Sequence, residues 1–370
     1  MRTAVISDLH LGARTSLVAG RDGRDRLLEG LDGVDQLVLL GDVLAMRAGP
    51  VERVLRSARP LFEELGEALA GRSVVVVPGN HDYQVVAPLL EARRRTPHEP
   101  GLGLAWMSEP KRDGVAGALA GYLGRADLVV AYPGFWIRAD VYATHGHYLD
   151  CHLSVPRLES ILTGVTKRLT GDLPQRARPE DYERVIEPVY AFLYSLAQGA
   201  YAASDGARSA GVIPRRLRTY GWYGIGTPGA VRPPATRLVS WAVVRAGVAA
   251  LNAARVGRFS SDLSVNELSR AGRRAMAEVV SRLEIEAEHV VFGHTHRAGP
   301  SKGEPPWRVA NGVQLVNAGN WAYAPELVGD AGGGSPFWPG TCVYVDAAGP
   351  PVVRRLVEEL PARLAAFSNT

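Results

Sequence analysis

"SVVVVPGNHD", residues 73–82, carries a β-branched run through Pro78 and Gly79 and ends on Asn80, His81 and Asp82. Continuous apolar runs of this length, bounded by proline and glycine, read as strands buried on both faces. Asn80, His81 and Asp82 are then either ordinary loop residues or part of a site at a strand end. Other strand ends along the chain decide between the two.

Equivalent residues recur. "TAVIS" precedes Asp8, with His10 two residues on, and "QLVLL" precedes Gly41-Asp42. "DVYAT" leads into His145 and His147, and "HVVF" leads into Gly293-His294 and His296. Helical patterns lie between these runs, as in "VERVLRSARPLFEELGEALAG" (51–71), where Pro60 is expected to kink or split the helix. Strand, polar cluster, helix, strand is α/β organisation, and ligands of such sheets collect beyond the strand ends.

The bulk composition sets outer bounds. With 46% apolar and 22% charged residues, the 370-residue chain reads as a soluble globular protein. "RTAVIS" already reads as a strand, so an N-terminal leader is not expected. Cys151 and Cys342 are the sole cysteines, which argues against a disulfide framework and for a reducing cytoplasm. A formal charge of +4 is too small to imply a nucleic-acid partner.

The strand rhythm breaks between residues 150 and 288, which read as a mainly helical insertion. It divides a catalytic domain into 1–149 and 289–370. "YERVIEPVYAFLYSLAQ" spaces Tyr182, Val185, Ile186, Val189, Phe192 and Leu193 along one helical face. Ser264 and Glu267 stand at capping-box spacing ahead of a second helix.

Residues two apart in an extended segment face the same side, so both members of "DLH", and both histidines of "GHTH", are expected to face one ion. Carboxylate, amide and imidazole together suit borderline divalent metals: manganese first, with iron or zinc as alternatives. One carboxylate can bridge two such ions. Taken singly, "DLH" or "GD" suits a solvated turn equally well. The ordered set, each member after an apolar strand, is what points to chemistry.

In that order the chain resembles the calcineurin-like metallophosphoesterases, whose pattern runs D-x-H, GD, GNH(D/E), H-G-(H/D) and G-H-x-H. Here these read "DLH", "GD", "GNHD", "HGH" and "GHTH". The resemblance implies a four-layer αββα sandwich around a two-metal site. It implies one metal on Asp8, His10 and His296, a second on Asn80, His145 and His294, and Asp42 bridging both. His81 would stabilise phosphoryl charge or protonate the leaving oxygen, and Asp82 would orient it. His147 would lie near the substrate or only pack. Many relatives carry an acidic residue three positions after the GD aspartate; here Ala45 stands there. Asn317 and Asn320 read as turn-stabilising residues, and His98, His152 and His289 match no motif.

From Gly206 to Ser261 the chain has no acidic residue but nine arginines, among them Arg215, Arg216 and Arg218. With the interleaved aromatic residues, this fits a lid over an anionic amphiphile or an interfacial surface on an anionic membrane; a packed cap is the plain alternative. The "ISDLHLG" opening and the helical insertion resemble UDP-2,3-diacylglucosamine pyrophosphohydrolases. The insertion is long for that branch, and His81 stands where it often has arginine. The expectation is therefore a cytoplasmic phosphoester or pyrophosphate hydrolase acting on a phosphorylated small-molecule or lipid-linked substrate, with peripheral contact at the inner membrane face. A nucleotide phosphodiesterase, a protein phosphatase and a non-catalytic scaffold remain the alternatives. A nuclease fits less well, since that branch usually carries an accessory domain after the last metal motif.

Overall fold

The computed structural model describes residues 1–96, 101–110, 112–206 and 245–365. They fall into two compact units, Met1–His147 with Glu286–Thr370, and Tyr148–Ile285.

In the first unit the apolar runs form strands. β1 (Thr3–Ile6), β2 (Gln36–Leu40), β3 (Ser73–Val77) and the start of β5 (Asp127–Arg138) pair in parallel. β4 (Ala105–Ser108) pairs antiparallel with β5. The far end of β5 pairs antiparallel with β6 (Val141–Thr144), which continues in parallel to β7 (His289–Phe292) and then β10 (Gln314–Ala318). Short β8 (Ala298–Gly299) and β9 (Trp307–Arg308) flank β10, while β11 (Thr341–Val345) and β12 (Val352–Arg355) extend the β1 edge.

β5 therefore joins two ladders. Val5, Val38, Leu40, Val75 and Val77 of the first share one buried cluster with Val141, Ala143, Val291, Val316 and Ala318 of the second. Two sheet faces close one apolar layer, and each fully buried aliphatic side chain in it contributes about 1.5–3 kcal/mol. Helices α1 (Arg21–Gly30), α2 (Val51–Ala68), α3 (Ala87–Arg94) and α4 (Gly114–Leu123) lie between the strands in sequence, so the expected mixed α/β fold is present.

α2 runs through Pro60 as one helix, so the proline does not split it. Pro60 sits on the exposed side, where water can satisfy the carbonyl it leaves without a donor, while Val54, Ala58, Leu61, Phe62 and Leu65 stay buried.

The second unit is helical: α5 (Leu158–Thr170), α6 (Pro179–Gly206), α7 (245–253) and α8 (Val265–Arg282). Tyr182, Val185, Ile186, Val189 and Leu193 form the buried stripe of α6, but Phe192 is 56% exposed. At 3.6 residues per turn, Phe192 lies about a quarter turn off that stripe. Ser264 caps α8 by accepting the Glu267 N–H at 3.1 Å; the Glu267 carboxylate pairs with Arg270 and Arg274 instead of closing the box. His152 bonds the Tyr182 hydroxyl at 2.9 Å, a structural role. His98 lies outside the described residues. Among the described residues no helix is long and apolar enough to cross a membrane.

Candidate metal centre

Five strands of the first unit deliver the candidate ligands from their C-terminal ends. Asp8 and His10 follow β1, Asp42 follows β2, and Asn80 to Asp82 follow β3. His145 and His147 follow β6, and His294 and His296 follow β7. All are buried.

The local backbone differs from the extended alternation expected. Asp8, His10, Asp42, His294 and His296 all take positive φ, between 48° and 64°. For residues other than glycine this left-handed conformation costs about 1–3 kcal/mol each. It persists because the loops continue the sheet pairing: Asp8 N–H donates to Gly41 O at 3.0 Å, and His10 N–H to Asp42 O at 2.8 Å. Left-handed turns, not strand alternation, converge the side chains. They also divide the "GHTH" histidines, which face different clusters rather than one ion. Gly41 (φ 78°) is required on two counts, since a Cβ there would enter the His145 ring.

The donor atoms form two adjoining groups. In the first, Asp8 Oδ1 lies 3.1 Å from His296 Nε2 and 3.7 Å from His10 Nε2, and the two imidazole nitrogens are 3.2 Å apart. In the second, Asp42, His145 and His294 converge, with Asn80 Oδ1 3.3 Å from His145 Nε2. Asp42 stands between them, Oδ1 3.5 Å from His145 Nε2 and Oδ2 3.9 Å from His10 Nε2.

These groups fit metal ions. Asp8 Oδ1 is buried with no hydrogen-bond donor aligned on it, while Oδ2 is held by the Ser7 hydroxyl and the His294 N–H. Donors around an ion with bonds of about 2.1 Å lie about 3–3.5 Å apart, close to the 3.1–3.9 Å separations here. His145 donates Nδ1–H to Leu40 O at 2.9 Å, which turns Nε2 to the cluster.

Electrostatics follow from this crowding. Burial opposes ionisation of Asp8, but His296 and His145 outweigh it and hold the carboxyl at about 2. Asp42 is likewise held well below the usual range, against burial, by His145, His81 and His10. Burial lowers His10 to about 4 despite Asp42. Burial also opposes a charge on His145, yet Asp42 and Asp8 raise it to about 10. His81 is driven well below its usual value by burial, with Arg47 adding to the effect.

His81 forms a third group of ligand-type atoms with His10 and Asp42, its Nε2 4.0 Å from Asp42 Oδ2 and its ring edge-on to His10 at 5.0 Å. Asp82 differs from expectation. Its carboxylate does not reach the His81 ring; it accepts the backbone N–H groups of Gly79 (2.6 Å), Val43 (2.7 Å), Asp42 (3.2 Å) and Leu44 (3.3 Å). Burial and the Asp42 charge push Asp82 up to about 6, against those amides. The four amides belong to the loops after β2 and β3, the second of which carries His81.

His147 places Nε2 3.0 Å from the Tyr132 hydroxyl and stacks on that ring. Arg215, Arg216 and Arg218 lie outside the described residues. Ala45, three positions after Asp42, is fully buried core. His289 joins Asp140 and Glu288 in a separate group of ligand-type atoms, but Arg138 engages both oxygens of Asp140.

Several contributors carried no legible sequence signal. Ser7 holds Asp8, and Tyr132 holds His147. Arg47 donates to the Asn80 carbonyl at 2.8 Å; only its place in the loop after Asp42 hinted at it. Asn317 and Asn320 are turn residues that also hold the last motif: Asn317 Nδ2 donates to Gly293 O at 3.0 Å, and Asn320 Nδ2 to His296 O at 2.8 Å.

No curated protein matches the chain. Asp8, His10, Asp42, Asn80, His81 and His145 all lie within one matched segment, and His294 and His296 lie beyond it yet complete the same two clusters. That segment, residues 1–168, matches the family model of the calcineurin-like phosphoesterases, and together with the histidine and aspartate clusters it supports a metal-dependent phosphoesterase.

Proposed function

We propose that the chain is a dinuclear phosphoester or pyrophosphate hydrolase. One ion would be held by Asp8, His10 and His296, the other by Asn80, His145 and His294, with Asp42 shared. Manganese is the first choice, because the oxygen and imidazole donors include no thiolate. The observation that carries the reading is Asp42, which turns one oxygen to each cluster. When bound, such a pair of ions polarises a phosphoryl oxygen and ionises water at neutral pH.

The chain's own residues do the rest. The charges of Asp8 and Asp42 make the site a cation trap before substrate arrives. His81, kept neutral by burial, donates an N–H hydrogen bond to a phosphoryl oxygen and so stabilises the charge that develops there. Asp82 and Arg47 fix the loop that carries it. We assign substrate selection to the helical unit. Its acid-free, arginine-rich stretch favours an anionic lipid-linked or nucleotide-linked pyrophosphate.

The test is turnover of an aryl phosphodiester by manganese-loaded protein, with metal content measured on the same sample. Two ions per chain and metal-dependent turnover support the reading. Absent metal and absent turnover would make the chain a scaffold on this fold. A panel of nucleotides, nucleotide-sugar lipids and phosphoproteins then separates the proposed substrate from nucleotide phosphodiesterase and protein phosphatase activity.

A further inference from the structure

Seven large apolar side chains remain exposed among the described residues, and four of them fall on α5 and α6: Val165, Leu169, Phe192 and Leu196. Within each helix the pair is four residues apart and so shares one stripe. The two helices pack against each other, which puts the stripes on adjoining helices. Leu169 is 81% exposed and Leu196 58%. Single exposed leucines are ordinary, whereas paired stripes on neighbouring helices are a surface that needs a partner.

The surrounding chemistry says which partner. α6 has no charged residue from Pro188 to Ser204, so its outer face there presents Phe192 and Leu196 among Ala191, Ser195 and Gly199. The adjoining chain is basic. Arg168, next to Leu169, donates to the Ala254 carbonyl and ties α5 to a segment bearing the exposed Arg255 and Arg258. No acidic residue occurs from Gly206 to Ser261. A second copy docked on this face would set arginine against arginine. An anionic bilayer accepts both features, with apolar side chains entering at the acyl boundary and guanidinium groups meeting headgroup phosphates.

We propose that the outer face of the α5–α6 pair, with its arginine flank, docks the protein on an anionic lipid surface. The proposal goes beyond the hydrolase reading and stands without it, because vesicle binding is read independently of turnover.

The experiment is co-sedimentation of the full chain with vesicles of phosphatidylcholine alone or mixed with phosphatidylglycerol. Wild-type protein should bind the mixed vesicles, less at high salt. Phe192→Ser with Leu196→Ser should weaken binding at least about tenfold, because the transfer of two large apolar groups is lost. Arg255→Gln with Arg258→Gln should lose the preference for anionic vesicles. Turnover of a small aryl phosphate should be unchanged in the variant at Phe192 and Leu196. Val165→Ser with Leu169→Ser is the second apolar variant and decides the matter if the first lowers the melting temperature. The proposal is overturned if wild-type protein does not bind, if both folded apolar variants bind as well as wild type, or if neutral vesicles bind equally. A concentration-dependent dimer dispersed by the Phe192 and Leu196 changes, without vesicle binding, would assign the face to a second copy instead.

Discussion

The Asp42 carboxylate accepts the backbone N–H of His81 at 2.8 Å, so the bridge between the two clusters and the strand end carrying the candidate catalytic imidazole form one hydrogen-bonded unit. Asp42→Asn keeps an acceptor for that N–H but loses the charge that the proposed dinuclear site would share between two cations. Metal content by mass spectrometry and aryl phosphodiester turnover should fall together. A variant that keeps two ions and near wild-type turnover would remove Asp42 from the bridge.

His81→Ala separates chemistry from metal binding. The backbone N–H that holds Asp42 is retained, so both ions should remain while turnover falls by about 10²–10⁴-fold, the usual worth of a positioned proton donor or acceptor. Loss of an ion from this variant would instead place His81 among the ligands.

Asp82→Asn tests positioning through the backbone. The buried carboxylate receives four N–H groups, and a carboxamide turns a donor towards some of them. The expected cost is about 1–3 kcal/mol of stability, read as a lower melting temperature, with weaker metal binding because the Asp42 and Asn80 loops lose their common anchor. Wild-type stability and metal affinity with a changed pH profile alone would restore the direct orienting role.

The sequence made the strands and the candidate residues at their ends legible because both are local. A β-branched run ends, and a polar residue follows. What it hid is non-local or conformational. Asp8 and His10 look like alternating residues of an extended segment, and nothing in "DLH" reveals that both adopt left-handed backbone. Asp82 beside His81 suggests a carboxylate–imidazole pair, whereas the carboxylate turns to amides of residues 42–44, about forty positions away in the chain. Phe192 fits the helical period of α6 well enough to read as core, and only the packing of α6 shows it exposed. Arg47 and Tyr132 act through partners that the fold alone brings near them.

The last prediction concerns protons and metal at His145. In the metal-free chain Asp42 and Asp8 hold this imidazole charged up to about pH 10, against an ordinary value of 6.5. A folded-state value raised in this way stabilises the metal-free fold fully below about pH 6.5, and the contribution is lost as pH rises towards 10. The metal-free protein should therefore lose melting temperature across that window. A cation at Nε2 must first displace the proton, so metal affinity should move the opposite way, rising by about one log unit per pH unit for each proton released. Calorimetric titration of manganese into metal-free protein, in buffers of different ionisation enthalpy, counts that proton directly. His145→Gln should remove both the proton release at pH 7 and the alkaline loss of stability. Metal binding with no proton uptake by buffer, and an affinity flat from pH 6.5 to 9, would show that His145 is already neutral and that Asp42 does not hold its proton.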